Sequence, residues 1–181
     1  MKVAVLGLGE TFQLFTRKSG DGITTIGCND IYKNYPADYL VCVDPKRVFT
    51  PERLKTIQES TPRKMFSYLP EWEENFIGHF KLIKRASPRG SLKDIDDFNK
   101  VSYSICSPYI ACIVAHQLGA DEIVMHGVDF NNHQALSKPH KLAIIQRDFT
   151  NLYFELKKRK VNLFVGSKES FLSSFIPVKA N

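Results

Sequence analysis

Polar and glycine residues recur directly after the apolar runs of this sequence, where a parallel sheet would end its strands. These positions are Gly7–Thr11, Asn29–Asp30, Asp44, Ser104–Ser107 and Asp129–His133. Ligands of open parallel sheets bind outside the carboxyl ends of the strands, and amide, hydroxyl and carboxylate groups hydrogen-bond a base, a ribose or a phosphate. The sequence therefore predicts a nucleotide-binding edge. Its predicted contacts are Gly7, Gly9, Glu10, Thr11, Asn29, Asp44, Ser107, Gly127 and Asp129.

The Gly7-Leu8-Gly9 segment follows the first apolar run and precedes a short predicted helix. Glycines at this point let the backbone approach a phosphate, and the start of a helix offers free N–H groups. The segment is only a partial dinucleotide fingerprint, because Phe12 occupies the position of the third glycine. An ordinary turn between a strand and a helix is the alternative interpretation. Asn29 and Asp44 could likewise be ordinary turn residues, since both residue types also favour turns.

His140 stands at the start of a long predicted helix and is the candidate general base. The alternative is a plain surface histidine. Asp129, His133 and His140 together carry metal-binding groups, but their spacing matches no standard ligand pattern. We therefore predict no resident metal.

The elements that must position these residues alternate between strand and helix. Strands are predicted over residues 2–7, 23–28, 39–44, 64–69, 80–85, 122–130 and 161–165. Helices are predicted over residues 10–15, 51–59, 70–78, 107–118, 140–160 and 170–175, with loops at 19–22, 87–99 and 131–139. The loop at 87–99 is the most loop-like segment and is expected to be mobile. This order predicts a single α/β domain over 1–181: a Rossmann-like, mostly parallel sheet with helices on both faces.

Composition narrows the class of protein. The 181 residues are 43% hydrophobic and carry a formal net charge of +6, which suits an anionic ligand or merely solubility. DNA binding would rest on this charge alone. The first apolar run, Val3–Leu8, is too short to span a membrane, and the four cysteines form no CxxC pair. We expect reduced core cysteines and a cytoplasmic protein, either free or against the inner face of the membrane.

Several segments resemble, in their order, motifs of glycosyltransferase family 42, the bacterial lipooligosaccharide sialyltransferases. A broader resemblance is to the GxGPSL group, which includes hydroxymethylpterin diphosphokinase-like and flagellin glycosylation factor-like proteins. The matching segments are Val5–Thr11 with the opening glycine motif, Gly27–Tyr32 with CNxFY, Ser107–Cys112 with TSGVYMCA, Leu118–Ile123 together with Gly127–Phe130 with ALGYKEIYLSGIDFY, and Ser167–Ile176 with PNSLLANFI.

This resemblance implies a CMP-sugar donor, a glycan acceptor and chemistry that needs no metal. It places Asn29, Asp44 and Ser107 in the donor site and makes His140 the base that deprotonates the acceptor hydroxyl. Two features depart from the family. The lid is reduced to the loop at 131–139, which has no tyrosine, and Ser104 replaces a family arginine.

These departures keep three functions open. The first is a glycosyltransferase that uses a nucleotide-activated sugar. The second is a nucleotide-binding module without catalysis, of a regulatory or phage-encoded kind, in which binding survives the loss of the lid. The third is a pyrophosphokinase-like transferase that would need Mg²⁺ held by Asp44 or Asp129. The oligomeric state is left open.

Overall fold

The computed structural model describes residues 1–15, 22–131, 133 and 136–180. The predicted loop at 19–22 lies outside the described residues except for Gly22. The strands are β1 Lys2–Leu6, β2 Thr24–Cys28, β3 Tyr39–Val41, β4 Lys64–Ser67, β5 Phe80–Leu82, β6 Lys84–Arg85, β7 Lys100–Val101, β8 Glu122–His126 and β9 Asn162–Val165. The α-helices are α1 Pro51–Gln58, α2 Ser107–Gln117 and α3 Pro139–Lys158. The 3₁₀ helices are Glu10–Leu14, Ile31–Lys33, Lys46–Val48, Pro70–Asn75 and Phe171–Ser174.

The described residues form a seven-stranded sheet in the order β5-β4-β3-β2-β1-β8-β9. Every neighbouring pair in it is parallel, so all seven carboxyl ends meet at one edge. Strands β6 and β7 pair separately, also in parallel. The chain leaves β1 and β8 toward opposite faces of the sheet, which places the topological switch point between these two strands.

Helices cover both faces of the sheet, as predicted. On one face, α2 and α3 bury Tyr109 and Phe149 against β1, β2 and β8. On the other face, α1 and the short 3₁₀ helices bury Ile57 and Trp72 against Leu40 and Met65. The continuous apolar runs of the strands thus match a sheet that is covered on both sides.

Three predicted strands end earlier than expected, and these boundaries shape the site. The strands predicted over 39–44, 64–69 and 122–130 end at Val41, Ser67 and His126. Backbone angles explain the last case: Gly127 and Phe130 have φ values of 66° and 61°, which turn the chain out of the sheet. The strand predicted over 80–85 is divided between β5 and β6.

The second half of the loop at 87–99 is anchored to the helices. Gln117 Nε2 donates hydrogen bonds to the carbonyl oxygens of Ile95, Asp97 and Lys100 over 3.0, 2.9 and 2.8 Å. Arg159, just after α3, donates to both carboxylate oxygens of Asp96. These contacts bind the loop to α2 and α3.

No helix within the described residues combines the length and the apolar character needed to cross a lipid bilayer. The four cysteines are buried and form no disulfide, in agreement with the predicted core role.

Candidate nucleotide-binding site

A chain of side-chain hydrogen bonds joins three of the predicted site residues. Ser107 Oγ donates to Asn29 Oδ1 over 3.2 Å, and Asn29 Nδ2 donates to Asp44 Oδ2 over 3.1 Å. Asn29 follows β2, Asp44 follows β3, and Ser107 is the first residue of α2. The contacts among them therefore lie at the carboxyl edge of the sheet. The structure therefore brings Asn29, Asp44 and Ser107 together, as the sequence predicts, while their contact with a nucleotide stays a prediction.

Local backbone geometry holds each member of this chain in place. Asn29 has a φ of 53°, a left-handed conformation that asparagine tolerates better than most residues, and its N–H donates to Val41 O. The carbonyl of Asp44 accepts a hydrogen bond from Trp72 Nε1 over 3.1 Å. Ser107 is buried as the first residue of α2, one position after the N-cap residue Cys106. The polar groups are thus fixed in position.

The glycines after β1 and β8 pack against each other at the switch point. Gly7 N and Gly9 N donate to the carbonyls of His126 and Gly127 over 2.8 Å each. A Cβ added to Gly7 would lie 2.3 Å from Gly127 O, and one added to Gly127 would lie 2.5 Å from Gly7 O. Direct contact between the two turns therefore accounts for these glycines without a ligand.

The Asp129 carboxylate accepts hydrogen bonds from the start of the 3₁₀ helix Glu10–Leu14. Its Oδ2 accepts from Thr11 N over 2.9 Å, and its Oδ1 accepts from Thr11 Oγ1. Thr11 Oγ1 also accepts from Gly127 N over 3.2 Å. A carboxylate at a helix start satisfies free N–H groups and complements the helix dipole. Asp129 and Thr11 thus have a structural role that the strand-end argument did not foresee.

An open groove of about 500 Å³ lies beside these turns. It is lined by Leu8, Gly9, Glu10, Phe12, Gln13, Lys33 and Asn34. Glu10 is exposed here at the start of its 3₁₀ helix. The volume is within the range of small-molecule sites, and Lys33 supplies a positive charge at its wall. The groove involves two predicted site residues, Gly9 and Glu10, but Asn29, Asp44 and Ser107 do not line it.

His140 lies in the first turn of α3, one residue after Pro139, and is exposed. Because α3 follows β8 and precedes the parallel strand β9, this end of the helix lies at the carboxyl edge of the sheet. Within the described part of the chain, His140 makes no hydrogen bond or ion pair. The structure therefore leaves its ring without a partner among the described residues, at the carboxyl edge, and does not join it to Asn29, Asp44 and Ser107.

A buried pair near this edge was missed by sequence reasoning. Ser104 Oγ donates to Asp148 Oδ2 over 2.6 Å, and Arg147 donates two hydrogen bonds to Asp148 Oδ1. Asp148 lies within α3 and is 1% exposed. The Ser104 hydroxyl therefore hydrogen-bonds within the protein. An acidic residue on the apolar face of an amphipathic helix was the only available signal.

A second missed group combines two arginines with two tyrosines. The Arg85 guanidinium carbon lies 4.9 Å from the ring centre of Tyr68 and 5.2 Å from that of Tyr103, and that of Arg89 lies 6.0 Å from the Tyr103 ring. Burial and the negative charge of Asp44 both raise the pKa of Tyr68. The strand predicted through Tyr68 ends at Ser67, and the strand predicted through Arg85 is divided between β5 and β6, so their position at the edge was not predicted.

Metal ligands do not cluster in the described ranges. No group of three or more His, Cys, Asp and Glu side chains there has the geometry to hold a metal ion. Asp44 and Asp129, proposed above for Mg²⁺, belong to separate hydrogen-bonded groups.

Solved structures of bacterial sialyltransferases share this architecture. CstII from Campylobacter jejuni, in complex with cytidine-5'-monophosphate, superposes with a TM-score of 0.62 and 19% identity over 99% of this chain and 85% of that one. CST-II in complex with a trisaccharide acceptor and CMP gives a TM-score of 0.62 and 19% identity over 100% and 87%. The monofunctional alpha-2,3-sialyltransferase Cst-I from the same organism gives 0.60 and 18% over 99% and 80%.

The chain has the fold of these sialyltransferases. This confirms, for the fold, the resemblance to glycosyltransferase family 42 seen in the motifs. No family model matches the chain, and no curated protein matches it. The sialyltransferase fold here includes the seven-stranded parallel sheet and a short segment, residues 127–138, between β8 and α3.

Proposed function

We propose that this protein binds a cytidine nucleotide or CMP-activated sugar and transfers the sugar to a glycan acceptor. The observation that carries the proposal is the hydrogen-bonded chain of Ser107, Asn29 and Asp44 at the carboxyl edge. Its support comes from the fold, since the neighbours of the same architecture include complexes with CMP and with an acceptor trisaccharide.

The chemistry requires little beyond positioned polar groups. Transfer from a nucleotide sugar needs one base that removes the proton of the acceptor hydroxyl and fixed donors for the departing phosphate. His140, exposed in the first turn of α3, is the proposed base. Asn29, Asp44 and Ser107 are the proposed contacts to the nucleoside, with a ribose or base displacing part of their mutual hydrogen bonding.

Calorimetry with CMP, CTP, UMP and AMP tests the binding half of the proposal. We expect CMP and CTP to bind more tightly than UMP or AMP. Asn29→Ala and Ser107→Ala should weaken CMP binding, whereas Asn151→Ala, at an exposed asparagine within α3, serves as the matched control. Equal affinity for all four nucleotides, or no binding, would contradict a cytidine site.

Mass spectrometry of reaction mixtures tests the transfer half. With a CMP-sugar and a panel of oligosaccharides, the native protein should release CMP and form a product. His140→Ala should abolish turnover and retain CMP affinity, while His79→Ala, at the opposite edge of the sheet before β5, should retain both. Binding without product in the native protein would instead identify a binding module. ATP turnover that requires Mg²⁺ would favour the pyrophosphokinase alternative.

A further inference from the structure

We infer that Arg85 and Arg89, flanked by Tyr68 and Tyr103, form the subsite that holds the phosphate group of the bound nucleotide. This inference rests on the nucleotide binding proposed above and assigns one part of that site. We define these four residues as the arginine–tyrosine cluster.

The first observation is that two buried nitrogens of the Arg89 guanidinium lack a hydrogen-bond partner among the described residues. Arg89 Nε and Nη2 are buried and have no hydrogen-bond acceptor among the described residues. A buried donor without an acceptor is destabilising, and more so when it carries charge. Such groups are uncommon in folded proteins and indicate a site for an acceptor that lies outside the described residues.

The second observation concerns ion pairing. Among the described arginines, Arg53, Arg63, Arg147 and Arg159 each pair with an aspartate or glutamate, whereas Arg47, Arg85 and Arg89 do not. Arg85 makes no ion pair or hydrogen bond to a described residue. Its contacts are the faces of two aromatic rings, Tyr68 and Tyr103. Stacking holds the plane of a guanidinium and leaves its N–H groups free to point outward, in the arrangement that binds phosphate oxygens in pairs.

The third observation is the position of the cluster in the fold. Strand β5 pairs in parallel with β4, and its continuation through β6 carries Arg85 beyond the carboxyl end of β4, where Tyr68 lies. Pairing of Ala86 N with Val101 O and of Gly90 N with Tyr103 O holds the arginine segment beside the segment that leads into α2. The cluster therefore lies at the same edge as Asn29, Asp44 and Ser107.

The positive charge of the two arginines favours one kind of ligand group. Two adjacent cations favour a phosphate monoester, which carries between one and a half and two negative charges at neutral pH, over a singly charged carboxylate. Asp44 follows β3 and Tyr68 follows β4, and these two strands are paired neighbours, so the nucleoside contacts and the cluster lie side by side at the carboxyl edge.

Calorimetry with CMP and with cytidine tests the inference in the full-length chain. The native protein should bind CMP more tightly than cytidine by at least about tenfold. Arg85→Met and Arg89→Met should each lower CMP affinity by roughly 10- to 100-fold and leave cytidine affinity unchanged. Arg63→Met is the control, because Arg63 lies at the amino edge and pairs with Asp38. Equal affinity for CMP and cytidine, or unchanged CMP affinity in both variants, would overturn the subsite.

Inorganic phosphate separates failure of the subsite from failure of the proposed function. If neither CMP nor cytidine binds, the proposed function fails. A phosphate-dependent rise in melting temperature that is lost in Arg85→Met would then still support the subsite, and its absence would refute it. If Arg89→Met does not fold, Arg89→Lys retains a positive charge without paired N–H groups and should show an intermediate loss of CMP affinity.

Discussion

Asn29 Nδ2 donates to Asp44 Oδ2 over 3.1 Å and thereby links the ends of β2 and β3. Both side chains are half-buried, so the contact is partly shielded from water. An amide is suited to this position because it donates to the carboxylate on one side and accepts from the Ser107 hydroxyl on the other.

Replacing the amide with a carboxylate should make stability depend on pH. Asn29→Asp places two carboxylates side by side, and one of them then binds a proton more readily in the folded than in the unfolded state. The loss in the free energy of unfolding, about 1–3 kcal/mol, should be fully present near pH 8 and shrink as the pH falls toward 4. Urea unfolding at both pH values measures it. Asn34→Asp, at an exposed position, should show no such change.

The buried Asp148 should depend on Ser104. Ser104→Ala leaves Asp148 Oδ2 without its 2.6 Å donor, while Oδ1 keeps Arg147. We expect a loss of about 1–3 kcal/mol in the free energy of unfolding, because a buried acceptor loses its partner. Urea denaturation measures the loss, with Ser91→Ala as the control. A change within about 0.5 kcal/mol would show that the contact contributes little to stability.

The turn at Gly9 should be coupled to Asp129. A Cβ at Gly9 would lie 2.4 Å from Asp129 Oδ2, so Gly9→Ala forces the capping carboxylate away from Thr11. In a double-mutant cycle, Gly9→Ala should therefore be less destabilising in an Asp129→Ala background, with a coupling energy of about 1 kcal/mol or more. Additive effects in thermal unfolding would contradict the contact.

Acid should weaken the attachment of the loop at 87–99. Hydrogen bonds from Arg159 and His116 lower the pKa of Asp96 to about 2. A carboxyl group whose pKa is depressed in the folded state adds stability above its unfolded pKa of about 4, and this contribution is lost as the pH falls toward 2. Asp96 is exposed, so we expect no more than about 1 kcal/mol. Asp96→Asn should lower stability at pH 7 and have a smaller effect at pH 2.5, measured by urea unfolding, whereas Asp94→Asn should not reproduce this difference.

The four cysteines should be unreactive in the folded protein. Burial raises the pKa of each thiol, to about 12 for Cys106, so the reactive thiolate is scarce at neutral pH. Ellman's reagent should label none of them in native buffer and all of them in concentrated urea. Rapid labelling of one thiol in native buffer would reveal an accessible site.

Much of the fold was predictable from the apolar runs. The segments at 2–7, 23–28 and 161–165 match strands of the structure within a residue or two, because continuous apolar runs suit strands that are covered on both faces. Helix α1 was equally clear, since Thr50 caps it and Pro51 occupies its first position.

The contact of Asn29, Asp44 and Ser107 also followed from sequence. Asn29 follows a predicted strand, Asp44 ends one and Ser107 opens a predicted helix, and the ends of parallel strands share one edge. That rule brings together residues that are 15 and 78 positions apart in the chain.

By itself, the sequence determined the strands, the principal helices and the polar edge, because periodicity, caps and strand ends are local properties. Only the tertiary structure decided which polar side chains have a partner within the described chain and which do not. It commits Asp129 to Thr11 and Ser104 to Asp148, and it leaves Arg85 and Arg89 without carboxylate partners among the described residues. These outcomes depend on which distant segments pack side by side, and no local pattern encodes the partner of a buried charge.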